Sequence, residues 1–227
     1  MPAFFHVTTA SVNDSKVMKE IPIDTGAYYI LDRGYNNFKE LYRIHRAESF
    51  FVVRAKTNLQ YRCVKWKRRP PKGILTDAEI ELTVYGSQKA YPESLRLVRF
   101  LDDEQGREFM FLTNATELTA QQIAGLYKNR WQIELFFKWL KQHLKIKKFW
   151  GATENTVRIQ IYSAIIAYSL VAIVQHDMVS ERSTYEVLQI LSMSLTDITP
   201  LIDLFDKTIF KKGKERSGSS EPNLFNF

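Results

Sequence analysis

Residues 27–53 read AYYILDRGYNNFKELYRIHRAESFFVV, and this stretch decides the fold class. Two apolar runs rich in aromatic and β-branched residues, 27–31 and 50–53, are typical of strands. Between them, apolar residues recur at helical spacing over 37–47. The order strand, helix, strand predicts an α/β fold in which neighbouring strands are parallel. In such folds functional residues lie at the carboxyl ends of strands, where Asp32 stands.

The same alternation extends upstream, whereas the downstream segment differs. The run Ala3–Thr9 predicts a further strand, and Asp14 is a candidate cap for a short helix. Residues 54–113 hold short alternating runs between turn signals, a pattern typical of a small β-rich insertion. The runs are Leu82–Tyr85, Leu95–Phe100 and Phe109–Leu112.

The last part of the chain has helical patterns. Thr119 and Gln122 have the spacing of a capping box, and the pattern that follows predicts one long helix ending near Leu144. Further helices are predicted over 154–178 and 183–194. The apolar stretch of the first of these is too short to span a bilayer, which favours a buried core helix.

These patterns predict four regions. They are an α/β core over 1–55, a β-rich insertion over 56–115, a helical part of the core over 116–200 and a tail over 201–227. The end of the tail, 211–227, has the composition of a disordered terminus.

Composition restricts the partners and the compartment. The chain has 227 residues, and 32 Lys and Arg against 25 Asp and Glu give a net charge of +7 and a pI near 9.3. Such a basic excess favours a polyanion such as nucleic acid. A lone Cys63 and scattered histidines exclude an internal disulfide and a zinc-type cluster. The first ten residues lack the pattern of a signal peptide, so we expect a cytoplasmic protein.

The predicted long helix has a basic face around one acid. Between Tyr127 and Lys148 there are seven Lys and Arg but only Glu134 as an acid. At 100° per residue from Tyr127, the polar face collects the following residues: Tyr127, Arg130, Glu134, Lys138, Lys141 and Lys145. An apolar stripe of Leu126, Ile133, Phe136, Phe137, Leu140 and Leu144 is expected to pack on the core. The simpler interpretation of Glu134 and Lys138 is an ordinary solvated salt bridge. The simpler interpretation of Asp32 is an ordinary turn residue.

A second basic concentration lies in the predicted insertion. Residues 54–72 contain eight Lys and Arg and no acid, with Tyr61 and Trp66 interleaved. Arg68 and Arg69, near the end of this segment, are candidates for DNA binding. A basic hairpin without a specific partner remains the alternative.

Tyr127-x2-Arg130-x3-Glu134-x6-Lys141 resembles the signature of insertion-sequence transposases of the IS4 group, which belong to the DDE class with an RNase H-like fold. Asp32-Arg33-Gly34-Tyr35 is similar to the second-aspartate motif of that group, and the β-rich segment resembles its insertion. The resemblance covers roughly residues 3–200.

The resemblance implies a function and a set of roles. Asp32 and Glu134 would be the second and third catalytic acids and would ligate Mg²⁺ or Mn²⁺. The transposon-end inverted repeats would be contacted by Tyr127, Arg130 and Lys141, with Lys138 and Lys145 on the same face. It further implies a homodimer on DNA, no membrane partner, and a bacterial, nucleoid-associated location.

The first catalytic aspartate of that group has no counterpart here. In the group it lies on a strand upstream of the one that Ala3–Thr9 represents, and Asp14 resembles a position that is not catalytic. We therefore expect a core without its first strands, with an exposed parallel edge. The chain is then either part of a transposase, inactive by itself, or a non-catalytic DNA-binding remnant. A general nuclease of the same fold is a third reading, which the motif spacing disfavours.

Overall fold

The computed structural model describes residues 5–8, 12, 14–66, 71–102, 106–144, 149–178, 182–194, 200 and 203. The chain divides into two compact units, with the boundary between Trp131 and Gln132. We call residues 4–131 the sheet unit and residues from Gln132 onward the helical unit.

The sheet unit is built on a mixed sheet, which has six strands among the described residues. The strands are β1 (Tyr28–Leu31), β2 (Phe50–Arg54), β3 (Tyr61–Trp66), β4 (Ile74–Leu82), β5 (Leu95–Asp102) and β6 (Arg107–Thr113). Their order is β1-β2-β6-β5-β4-β3. β1 and β2 are parallel, and the other pairs are antiparallel. β1 is thus an edge strand of the described sheet, with a parallel partner on one side.

Helices cover both faces of this sheet. The sheet unit contains α1 (Asp14–Val17), α2 (Phe38–Arg46), α3 (Tyr85–Ala90) and α4 (Ala120–Asn129). Val53 belongs to the core cluster on the α2 side, and its neighbour Val52 belongs to the cluster on the α4 side. Because successive strand residues face opposite sides, a strand buried on both faces is apolar throughout. This explains the continuous run at 50–53.

The helical unit contains α5, α6 and α7. α5 (Trp131–His143) begins on the last residue of the sheet unit, and α6 (Glu154–Asp177) and α7 (Thr184–Met193) follow. Tyr168 of α6 contacts Phe136 and Trp139 of α5, with ring centroids 4.8 and 4.9 Å apart. The side chain of Ser183 accepts a hydrogen bond from the Glu186 amide in a capping box that starts α7.

The α/β fold class is confirmed, and the central elements match the sequence closely. β1, α2 and β2 form the predicted strand–helix–strand, with Asn37 as the N-cap of α2. Thr119 and Gln122 form the predicted capping box. The mixed sheet with its helices is consistent with an RNase H-like fold. The boundaries predicted for the insertion remain a prediction.

Three local predictions are wrong. The described part of the predicted first strand, residues 5–8, is not a strand. The strand predicted at Leu82–Tyr85 is misplaced, because β4 ends at Leu82 and α3 begins at Tyr85. The single long helix is two helices, α4 and α5, with a tighter turn at Arg130, whose amide donates to the Tyr127 carbonyl three residues earlier.

The predicted apolar stripe is only partly buried. Phe136 and Leu140 lie in the core, whereas Ile133 is 57% exposed and Phe137 38% exposed. Tyr127, placed by the helical wheel on the polar face, is instead buried. A tyrosine combines an apolar ring with a polar tip, so a wheel that treats it as polar misplaces its ring.

α6 has two different sides. Ala164, Tyr168 and Val171 are buried, but only 22% of its most apolar window is buried, so the prediction of a core helix holds for one side of it. The prediction that its apolar stretch is too short to span a bilayer is wrong: by length and composition alone α6 could cross a membrane, and it is the one described helix that could. Core helices of soluble proteins satisfy the same criterion, so this is weak evidence for a membrane segment.

The buried pair of Arg96 and Asp77 gives a stability test. The two side chains are 6% and 8% exposed, and the Arg96 Nε and Asp77 Oδ1 atoms are 2.8 Å apart. In Asp77→Ala, Arg96 loses its buried counter-charge, and we expect a loss of about 3–5 kcal/mol in the free energy of unfolding. Urea denaturation followed by circular dichroism measures it.

The matched control is Glu108→Ala. It removes an exposed partner of Arg99 on the same sheet, with both side chains 40% exposed. Exposed pairs contribute about 0–1 kcal/mol. Equal losses in the two variants would contradict a special role for the buried pair.

Candidate active site

Asp32 lies at the carboxyl end of a parallel strand. It directly follows β1 and is the N-cap of a short 3₁₀ turn, Arg33–Tyr35. The Arg33 amide donates a hydrogen bond of 2.7 Å to Asp32 Oδ1. Asp32 is two residues beyond Ile30, which packs in the cluster beneath α4, so its side chain is on the α4 face of the sheet.

Tyr127 of α4 contacts this carboxylate on the same face of the sheet. Its hydroxyl donates a hydrogen bond of 3.0 Å to Asp32 Oδ1. Its ring is 8% exposed and lies 4.7 Å, centroid to centroid, from that of Phe111 on β6. The hydrophobic packing of the ring therefore sets the place of the hydroxyl.

Two arginines add positive charge beside Asp32. Arg130, just after α4, has its Nη1 atom 3.7 Å from Asp32 Oδ2, and its guanidinium is 5.5 Å from the centre of the Tyr127 ring. Arg54, at the end of β2, has its guanidinium 4.9 Å from the centre of the Phe109 ring. Sequence reasoning included Arg54 only in a basic segment and missed its place next to Asp32.

The surroundings keep Asp32 ionised. Partial burial acts to raise the pKa of Asp32, but the Arg33 amide, the Tyr127 hydroxyl and the charges of Arg130 and Arg54 together lower it below its usual value. Burial and the nearby Asp32 charge raise the pKa of Tyr127. Tyr127 therefore keeps its proton and acts as a donor. The Asp32 side chain is still 43% exposed, which leaves it accessible to a ligand.

Asn36 holds the turn that carries Asp32, and the sequence analysis did not single it out. Its Nδ2 group donates to the carbonyl oxygens of Arg33, at 2.8 Å, and Arg54, at 2.7 Å. These bonds tie the end of β1 to the end of β2. The one available signal was an asparagine shortly after the strand, a common turn residue.

The remaining described candidates lie in the helical unit. Glu134, Lys138 and Lys141 line one concavity on α5, together with Phe137 and Gln142. Glu134 is partly buried and the two lysines are exposed. Arg68, Arg69 and Lys145, predicted to bind DNA, lie outside the described residues.

The predicted site residues thus fall into two groups. Asp32, Tyr127 and Arg130 are in contact within the sheet unit, and Glu134, Lys138 and Lys141 share a surface of the helical unit. Across the described part of the chain, no group of three or more His, Cys, Asp or Glu residues is arranged to hold a metal.

Comparison with known proteins decides the family. The family model described as the transposase DDE domain matches residues 1–170. The chain belongs to this family of DDE transposases. It is similar to a protein named as a transposase in Sinorhizobium fredii, with 40% identity over 76% of this chain and 49% of the relative. It is also similar to one named as a transposase for insertion sequence element IS5377 in Geobacillus stearothermophilus, with 31% identity over 75% of this chain and 45% of the relative.

A third relative is named as a transposase for insertion sequence element IS4SA in Synechocystis, and is 32% identical over 61% of this chain and 38% of the relative. The chain spans about half, or less, of the length of the relatives it matches. Identity at this level over a long alignment supports the resemblance found in the Tyr-Arg-Glu-Lys motif.

The lowered pKa of Asp32 makes the stability of this transposase domain dependent on pH. A carboxyl with a lowered folded pKa stabilises the fold at pH values above its unfolded pKa, and this contribution is lost as the pH falls through the folded pKa. The Asp32→Asn variant has no ionisable side chain at this position. We expect the stability of the wild type relative to Asp32→Asn to fall on acidification from about pH 6 to about pH 2. Urea denaturation at each pH measures the difference, and a constant difference would contradict the assignment.

Proposed function

We propose that this chain supplies two of the catalytic carboxylates, Asp32 and Glu134, of a transposase that cleaves and joins DNA at transposon ends. The observation that carries this proposal is the Asp32 carboxylate, which is held ionised at the end of a parallel strand by Tyr127 and Arg130 of the Tyr-Arg-Glu-Lys motif. The named functions of the relatives support the same activity.

The donor chemistry fits a divalent cation such as Mg²⁺ or Mn²⁺. Mg²⁺ is usually bound by one or two carboxylates together with phosphate oxygens of the substrate, so a dedicated cage of protein ligands is not required. Asp32 is ionised and partly exposed, as a ligand must be. When bound, the cations would activate a water or 3′-hydroxyl and stabilise the leaving oxygen. Asp32 and Glu134 would hold them.

The basic residues of α5 are proposed to bind DNA. Lys138 and Lys141 are exposed beside Glu134, and cations on one surface contact the phosphate backbone independently of sequence. The same role is proposed for Arg130, Lys145, Arg68 and Arg69. We further propose that the substrate is the inverted repeats at the transposon ends and that the protein binds them as a homodimer. We expect it to act in the bacterial cytoplasm, at the nucleoid. Membership of the IS4 group rests on the motif spacing.

A DNA-binding protein without catalysis is the second candidate. It is kept because the family resemblance assigns two of the three catalytic acids, Asp32 and Glu134, to this chain. Two-metal phosphoryl transfer needs enough carboxylates to hold both ions. We therefore expect no Mg²⁺-dependent nicking of plasmid DNA by this chain alone; nicking that Glu134→Gln removes would overturn this second candidate.

DNA binding through α5 is tested with Lys141→Ala. Loss of one phosphate contact is expected to weaken binding to a duplex several-fold and to lower the slope of log affinity against log salt by about one. Fluorescence anisotropy over a salt series measures both. Lys39→Ala, on the exposed side of α2, is the matched control. Equal effects of the two substitutions would remove Lys141 from the proposed interface.

The catalytic role of Glu134 is tested with Glu134→Gln, made in a full-length transposase that includes this chain. We expect cleavage to be lost, because a neutral amide is a poor ligand for a hard cation. DNA affinity should be unchanged or slightly higher, since a negative charge is removed from a surface that meets phosphates. Gel assays of end cleavage and anisotropy measure the two effects, and cleavage at the wild-type rate would exclude Glu134 from the metal site.

A further inference from the structure

The two oxygens of the Asp32 carboxylate have different surroundings. Oδ1 accepts two hydrogen bonds, from the Arg33 amide at 2.7 Å and from the Tyr127 hydroxyl at 3.0 Å. Oδ2 has its nearest charged neighbour in Arg130 Nη1, at 3.7 Å, which is longer than a hydrogen bond. Among the described residues, Oδ2 is therefore ion-paired with Arg130 but accepts no hydrogen bond, and a cation that binds at Oδ2 would take the place of the Arg130 charge.

The Tyr127 hydroxyl is a rigid donor. Its ring is buried, 4.7 Å from Phe111 and 6.0 Å from Phe109 between ring centroids. A packed tyrosine ring leaves its hydroxyl little freedom of position, whereas the Arg33 amide belongs to the same turn as Asp32 and moves with it. Tyr127 is thus the contact that fixes the carboxylate relative to the sheet and α4.

We propose that Tyr127 is a positioning residue, whose hydroxyl holds Asp32 Oδ1 so that Oδ2 is presented to a divalent cation. This inference rests on the proposed role of Asp32 as a metal ligand. It gives Tyr127 a role other than the DNA contact implied by the family resemblance, because its only polar atom already donates to Asp32. Arg130 lies over the Tyr127 ring and 3.7 Å from Asp32 Oδ2, and it keeps its proposed contact with phosphate.

The loss of such an orienting hydrogen bond has a typical effect on metal affinity. Groups that hydrogen-bond to a metal ligand fix its orientation, and their removal commonly weakens metal binding by about 10–100-fold. Tyr127→Phe removes the hydroxyl and keeps the ring, so packing on Phe111 is preserved. Asp32 would then rotate about its side-chain bonds, and a cation would meet it in several orientations.

The test is a Mn²⁺ titration of the ¹⁵N-labelled chain, read by paramagnetic broadening of the Arg33 and Gly34 amide signals. This readout is local to Asp32 and does not require catalysis. Tyr127→Phe is expected to raise the Mn²⁺ concentration at half-broadening by about tenfold. Its affinity for duplex DNA is measured by anisotropy in parallel, which separates a positioning role from a DNA contact. The amide spectrum of the same sample shows that the variant is folded.

Tyr91→Phe is the matched control. Tyr91 is also a buried tyrosine of the sheet unit, and its hydroxyl lies 2.7 Å from His45 Nδ1 on the α2 side of the sheet. Its loss should leave the Mn²⁺ midpoint unchanged. A shift equal to that of Tyr127→Phe would mean that general destabilisation causes the effect, which would overturn the inference.

Asp32→Asn separates this inference from the proposed function. If Asp32→Asn abolishes the broadening and Tyr127→Phe leaves the midpoint unchanged, Asp32 is a ligand but Tyr127 does not position it. If neither substitution has an effect, Asp32 is not a ligand and the proposed function fails as well. If Tyr127→Phe weakens DNA binding and leaves the Mn²⁺ midpoint unchanged, Tyr127 is a DNA contact and the inference is wrong.

Discussion

A carboxylate that is partly withdrawn from water must be given hydrogen-bond donors and positive charge, and the sheet unit meets this requirement at Asp32. The Tyr127 hydroxyl donates to Oδ1 across 95 residues of sequence, the Arg33 amide donates locally, and Arg130 lies beside Oδ2. These contacts need α4 at one position on the sheet. The position of α4 relative to Asp32 depends on the order of the strands, on the packing beneath α4 and on the turn after β1.

Two interactions hold the start of α4 in place. Arg96 is buried, pairs with Asp77, and donates to the carbonyl oxygens of Ala115 and Leu118, in the segment that leads from β6 to α4. The capping box at Thr119 then satisfies the first amides of the helix. Ile123 and Tyr127, one turn apart, bury their side chains in the same cluster. A chain of local and tertiary contacts thus runs from the sheet interior to the carboxylate.

Much of this architecture could be predicted because its signals are local. The periodicity of 37–47, the apolar run at 50–53 and the Thr119–Gln122 spacing are written in adjacent residues. The errors come from non-local effects. Tyr85 begins a helix although its run reads as a strand, and Arg130 interrupts a helix that periodicity makes continuous. β3 has five exposed residues of its six, so it lacks the alternation that would have predicted it.

The sequence by itself determined the fold class, the family motif, the capping box at Thr119 and the basic surface around Glu134, because each depends on residue types at short and regular spacing. The tertiary structure alone decided that Tyr127 is buried, that its hydroxyl meets Asp32, and that the two oxygens of this carboxylate differ. It also brought Arg54 and Asn36 to the same place. The physical reason is that hydrophobic burial sets where a ring packs, and only the packed ring decides which polar group its hydroxyl can reach.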